Sequence, residues 1–236
     1  MAVLTLKTGA IPSTPEQIAK APRFAPPPTA VPPTFFLKPP QLSIWGNDIH
    51  GDCVTAEEAF AKACHAPEIF ISQDEVIAWA QQHGVLEGAN VMHVMDLMQS
   101  DGFPGGATKY CDGPYNFVDF FNIAHLKSAI VKGPVKFAVA STQLKAEYWK
   151  QIDKQGLLAL GFQRDQNIDH CISLCGFGTI GWLAGRLNMT LSPAVDKNLP
   201  AYEFFTWGKL GIIDQFTIEA IGTEAWLRQP TTIIRD

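Results

Sequence analysis

Helix-like segments come first in this chain and strand-like segments second, which is the order of a segregated α+β fold. Asp52 stands as an N-cap ahead of "AEEAFAKAC", a run rich in helix formers with Glu57 and Glu58 early in it. "SQDEVIAWAQQHG" reads as a second helix, opened near Ser72 and closed at Gly84. "NVMHVMDLMQSDGF" is a third, stopping at Gly102, and "HLKSAIVKG" is a short fourth that Gly133-Pro134 breaks. After it "VKFAVAS", "DHCISLCGFGTI", "AYEFFTWG" and "FTIEAIG" are β-prone. No internal repeat is present.

Residues 1–44 hold ten of the 17 prolines. Proline removes backbone donors and favours extended chain, so this segment is expected to be a proline-rich extended arm, with Phe24, Phe35, Phe36 and Leu37 as apolar anchors. Residues 45–236 then form one domain, helical over about 45–130 and β-rich over about 131–236. Because the anchors lie immediately before Asn47, the arm is expected to cross or flank the cleft between these halves.

Composition narrows the function. Hydrophobic residues make up 47% and charged residues 17%, enough for a sizeable core. A formal charge of −5 without a basic cluster gives no electrostatic reason to expect nucleic acid or an acidic membrane as partner. The longest apolar runs are too short to span a bilayer, which takes ~20 residues. No secretory signal is evident at the N-terminus. Five cysteines, Cys53, Cys64, Cys111, Cys171 and Cys175, are an odd and sparse set, which points to the cytoplasm or another reducing compartment rather than to a disulfide framework. Without a CxxC pair, no structural zinc site is expected. The glycines of "GFGTIG" have the wrong spacing for a dinucleotide loop.

The stretch "WGNDIHGDCVTAEEAFAKACH" carries the chemistry in question. By its own residues, Cys53 reads as an activated nucleophile, as one ligand of a metal with His50 and His65, or as a small apolar residue opening a buried helix. A helix N-terminus supplies partial positive charge that favours thiolate, and an imidazolium at His170 would supply more. Asp52 works the other way unless its side chain caps the helix or points away. His50 is a rival base close in sequence. The metal reading lacks a fourth ligand at sensible spacing. Cys64, Cys171 and Cys175 read as packing residues, and Met92, Met95 and Met98 as a packed helix face.

From about residue 43 to 213 the chain resembles the papain-like cysteine peptidases, as a divergent bacterial or phage-type member. "NDIHGDC" is similar to that family's oxyanion, glycine and nucleophile segment, with Asn47 six residues before Cys53. "ISQDEVIAWAQQHGVLEGANVMHVMDLMQSDGF" resembles its second helix, glycine loop and third helix. "LKSAIVKGPVKFAVASTQLKAEYWKQIDKQGLLALG" resembles a helix, Gly-Pro break and strand followed by a hairpin. "NIDHCISLCGFGT" resembles the histidine strand, and "FTWGKLG" the Trp-Gly segment that shields the site. The resemblance implies an α+β papain-like fold with the cleft between its halves. It implies Cys53 as nucleophile, His170 as base and Asn47 as oxyanion donor. It places Gly88, Asp169 and Trp207 at the substrate, and it calls for no cofactor or metal. The activity implied is thiolate acyl transfer on a peptide or protein substrate, by a peptidase or amide hydrolase.

Departures from the family pattern open alternatives. Phe205 stands where the family has the asparagine that orients the histidine. Thr206 is expected on the opposite strand face, and Asn188 or Asp214 would reach only from a loop. Asn47 replaces a glutamine and is one methylene shorter. The alternatives are a catalytically weakened papain-fold binding or virion-type structural protein, and a transpeptidase or cyclase.

Overall fold

The computed structural model describes residues 4–235. In chain order the elements are β1 (Ala10–Ile11), α1 (Pro15–Lys20), α2 (Cys53–Ala63), α3 (Gln73–Gln82), β2 (Ala89–Asn90), α4 (Val91–Ser100), β3 (Phe103–Gly105), β4 (Thr108–Cys111), β5 (Tyr115–Phe117) and α5 (Ile123–Lys132). There follow β6 (Val135–Ala140), α6 (Thr142–Lys150), β7 (Leu157–Ala159), β8 (Ile168–Thr179), α7 (Ile180–Arg186), β9 (Pro200–Thr206), β10 (Lys209–Asp214), α8 (Gln215–Ile221), β11 (Gly222–Arg228) and β12 (Ile233–Arg235). The class is α+β.

Local sequence accounts for the helices well. Ser72 and Glu75 close a capping box at the start of α3, satisfying two backbone donors that the helix leaves free. Asn90 and Asn122 cap α4 and α5 through their side-chain oxygens. Buried positions on α4, Val91, Val94, Met95 and Met98, recur at helical spacing.

Three segments differ from expectation. Within the stretch expected to be extended, Pro15–Lys20 is helix α1, closed at its start by the Thr14–Gln17 capping box. "FTIEAIG" is helix α8, not a strand, because the Asp214 side chain accepts the Thr217 N–H at 2.7 Å and Thr217, Ile218 and Ile221 all fall on its buried face. The strand comes just after, as β11. Thr142–Lys150 forms α6 where the resemblance implied a hairpin, with Leu144 and Tyr148 one turn apart in the core.

A seven-stranded sheet, ordered β5-β11-β6-β8-β9-β10-β7, divides the interior. One face packs against α2, α3, α4 and α7 around Trp45, Phe60, Met95, Leu183 and Phe205. The other packs against α5, α6 and α8 around Phe137, Tyr148, Ile172, Phe204 and Ile218. Among the described residues no helix is long and apolar enough to cross a membrane.

The seam between α2 and the sheet is charged. Glu57 and Glu58 of α2 meet Lys136 of β6 and Arg228 of β11, and all four side chains are buried. Arg228 Nη1 lies 2.8 Å from Glu57 Oε2 and 2.6 Å from Glu58 Oε2. Lys136 Nζ lies 2.8 Å from Glu57 Oε2 and 2.6 Å from Glu58 Oε1, and it donates to the Val54 carbonyl at 2.8 Å. Two cations offset two anions, so desolvation is compensated only while the set is complete. Arg228→Met should therefore lower unfolding free energy by about 3–5 kcal/mol, read from urea denaturation. A loss within experimental error would show that the cluster is not a stabilising tie.

Candidate active site

Cys53 is the first residue of α2, and it is 2% exposed. Asp52 occupies the N-cap position, yet its side chain makes no cap bond, so the expected cap is absent. Burial instead pushes the Asp52 carboxyl up to about 8, with the nearby Glu87 charge adding to the rise and the Asn47 side chain opposing it. Asp52 is thus mostly protonated at neutral pH and withdraws the like charge that would disfavour a thiolate.

His170 lies on β8, next to Cys171, whose main chain lies near Cys53 and opposes the effect of burial on its thiol. His170 Nε2 pairs with Thr206 Oγ1 at 2.7 Å, and Nδ1 has no hydrogen-bond partner. The Trp207 indole stacks on the imidazole with ring centroids 4.0 Å apart and planes 11° from parallel. Thr206 therefore faces His170, contrary to the expected alternation. The register explains why. Phe205 pairs with Ser173, which puts Thr206 opposite Ile172 and on the same sheet face as His170. Phe205 points the other way and stacks on Phe60 of α2 at 4.2 Å. The side chain that meets the imidazole is thus Thr206, one residue on from Phe205. Asp214 is engaged in capping α8.

Trp207 owes its position to a two-residue turn. Thr206 pairs with Lys209 across β9 and β10, and Trp207 and Gly208 between them have φ of 39° and 74°. Positive φ at both central residues is the type I′ hairpin signature, which suits Gly208 and strains Trp207.

Asn47 is buried, and its Nδ2 donates to the His50 carbonyl at 3.1 Å. His50, the rival base, is bound by Glu87, with Nδ1 2.5 Å from Oε1. The Asp169 side chain turns to the start of α6, accepting from Ser141 N and Oγ at 2.9 Å each. Among the described residues, no group of three or more His, Cys, Asp and Glu side chains is disposed to hold a metal ion.

What fills the space in front of Cys53 is the chain itself. Lys7 N–H donates to the Asn47 carbonyl at 3.0 Å, and Trp207 Nε1 donates to the Lys7 carbonyl at 2.9 Å. Gly9 N–H donates to the Asp169 carbonyl and Ala89 N–H to the Gly9 carbonyl, both at 2.9 Å. Strand β1 then pairs in parallel with β2, Ala10 beside Ala89. The main chain of Gly9 and Ala10 lies against Cys53, where it opposes the effect of burial on the thiol. The fit at Gly9 admits no side chain: a Cβ there would lie 1.8 Å from the Gly51 carbonyl oxygen and 2.9 Å from Gly88 Cα. Sequence reading did not single out this glycine. Its only signal is a lone flexible residue among small neighbours in "TGAI".

Covering changes the chemistry. Burial pushes the Cys53 thiol up to about 12, and it holds His170 well below the usual imidazole range, with the Lys145 charge adding to the effect. The covered site therefore holds a neutral thiol and a neutral imidazole. A cavity of about 540 Å³, lined by Phe121, Arg164, Phe216 and Glu219 among others, opens beside Ile168 rather than at Cys53.

No protein-family model matches the chain, and no curated protein matches it. Solved structures do. Xylellain, a cysteine protease from Xylella fastidiosa, superposes with a TM-score of 0.61 at 14% identity, over 97% of this chain and 98% of that one. The cysteine protease and lectin-like domains of Cwp84 from Clostridium difficile give 0.60 at 11% identity, over 98% of this chain and 57% of that one. Digestive procathepsin L 3 of Tenebrio molitor gives 0.50 at 12%, over 89% and 74%.

The fold is papain-like. Identities this low carry the fold and leave the activity to the residues of the site.

If residues 7–10 keep Cys53 neutral, expelling them should arm it. Gly9→Val should raise the rate of Cys53 alkylation by iodoacetamide at pH 8 by at least about tenfold, as the thiol returns toward its ordinary pKa. An unchanged rate would show that the segment does not control the thiol.

Proposed function

We propose that this protein is a cysteine peptidase or amide hydrolase of divergent bacterial or phage type, and that its N-terminal segment holds it silent. The observation that carries this reading is residues 7–10 lying across Cys53, hydrogen-bonded on both sides to main chain of Asn47, Ala89 and Asp169. A groove that satisfies the backbone of one extended peptide is built to take another.

With the segment withdrawn, Cys53 and His170 regain water and the helix N-terminus favours the thiolate. The thiolate attacks a peptide carbonyl carbon. The Asn47 amide and the Cys53 N–H hold the developing oxyanion. His170 gives its proton to the leaving amine, then takes one from the water that releases the acyl group. Thr206 Oγ1 accepts the hydrogen bond of Nε2–H, which leaves Nδ1, free of any hydrogen-bond partner among the described residues, to take the thiol proton. A second amine in place of water would make the same site a transpeptidase.

The test is release of a fluorophore from a mixed peptide library by the Gly9→Val chain, with Cys53→Ser as blank. Turnover should appear with Gly9→Val and vanish with Cys53→Ser added. Adding Thr206→Val to Gly9→Val should cut kcat by about tenfold or more and shift the pH profile, because the imidazole loses its orienting partner. A binding-only protein would bind peptides in the opened groove with no Cys53-dependent turnover, and that result would overturn the hydrolase reading.

A further inference from the structure

Cys171 follows His170 on β8 and faces away from it, toward α2. Alternation puts Cys171 and Ser173 on one face of the strand. Ser173 Oγ donates to Glu57 Oε1 at 2.9 Å, which sets the register of α2 against β8. One helical turn back from Glu57, about 6 Å at the α-helical rise, is Cys53. Two strand residues back from Ser173, about 6.6 Å at the β rise, is Cys171. The two steps match, so the two thiols meet at the same level of the seam. Both side chains lie in one apolar cluster, at 2% and 3% exposed. The Cys171 main chain lies near Cys53 as well.

We propose that Cys53 and Cys171 form a reversible disulfide, which switches the nucleophile off when the groove is open and a peroxide-class oxidant is present. The inference rests on the reading of Cys53 as the nucleophile. The Cys53 thiolate attacks one peroxide oxygen; the O–O bond breaks, the sulfur becomes a sulfenic acid and, with one proton, water leaves. The Cys171 sulfur then attacks the sulfenic sulfur. An S–S bond forms, the S–O bond breaks, and the hydroxyl leaves with the Cys171 proton as a second water. In sum, two thiols and hydrogen peroxide give a disulfide and two waters. Without a neighbouring thiol, an exposed thiolate proceeds to sulfinic and sulfonic acids that thiol reductants do not reverse. Residues 7–10 and Cys171 thus protect the same sulfur in turn, the first by covering it and the second by trapping its first oxidation product.

The Gly9→Val chain is treated with hydrogen peroxide, digested without reduction and mapped by mass spectrometry, with dimedone as a trap for sulfenic acid. The expected result is a peptide linking Cys53 to Cys171, loss of two thiols per chain, and recovery of Cys53 alkylation after dithiothreitol. Adding Cys171→Ala should replace the link by a dimedone adduct and then by sulfinic Cys53 that dithiothreitol does not recover. In the native chain the link should form at least about tenfold more slowly. A Cys53 that stays reduced, links to another cysteine, or gives the same dimedone yield with and without Cys171 would overturn the proposal. Peptide turnover separates the two readings. A link without turnover keeps the disulfide but removes the hydrolase it would switch, whereas turnover without a link keeps the hydrolase and removes the disulfide.

Discussion

Helix α2 is held to the sheet by charge, and the site depends on that tie. Glu57 and Glu58 are carried by the same helix that begins at Cys53, and their cation partners sit on β6 and β11, either side of the contact that joins those strands. A buried ionic set has a narrow geometric tolerance, because any partner that drifts leaves an uncompensated charge. With Lys136 also bonded to the Val54 carbonyl, the first turn of the helix is fixed against β6, which pairs with β8, the strand that carries His170 and Cys171.

The chain spends this fixed geometry on a covered site. Three glycines let backbone meet backbone: a Cβ at Gly9 or Gly51 would clash, and Gly88 holds a φ of 123° that side chains rarely adopt. Trp207 closes the other side, bonded to Lys7 and stacked on His170. Covering and neutrality are one event. Removing water disfavours both the thiolate and the imidazolium, so the resting pair carries no charge, and Asp52 is uncharged for the same reason.

Much of the fold was legible because the helices announce their ends. Ser72, Asn90 and Asn122 are caps that any reading of the chain meets, and β6, β8 and β9 are apolar enough to read as buried strands. Helix α8 was not legible, because Phe216, Thr217 and Ile218 favour strand by propensity and only the Asp214 cap and tertiary burial override them. Thr206 was misassigned because face alternation was counted from the family's asparagine position at Phe205, and no single sequence reveals how β8 and β9 register. The aromatic anchors of the proline-rich stretch lie elsewhere than over Cys53: Phe35 pairs with Phe177, and Phe24 with Phe117. Gly9 gives no periodic or charge signal, since its role is the absence of a side chain.

Amide hydrogen exchange at Gly9 and Ala89 in the native chain measures the covering most directly, because each N–H is committed to one bond across the groove. At pH 7 both amides should exchange at least about a hundredfold more slowly than in an unfolded chain. Exchange of Gly9 at the unfolded rate, with Ala89 equally fast, would mean that the segment does not occupy the groove and that Cys53 rests uncovered.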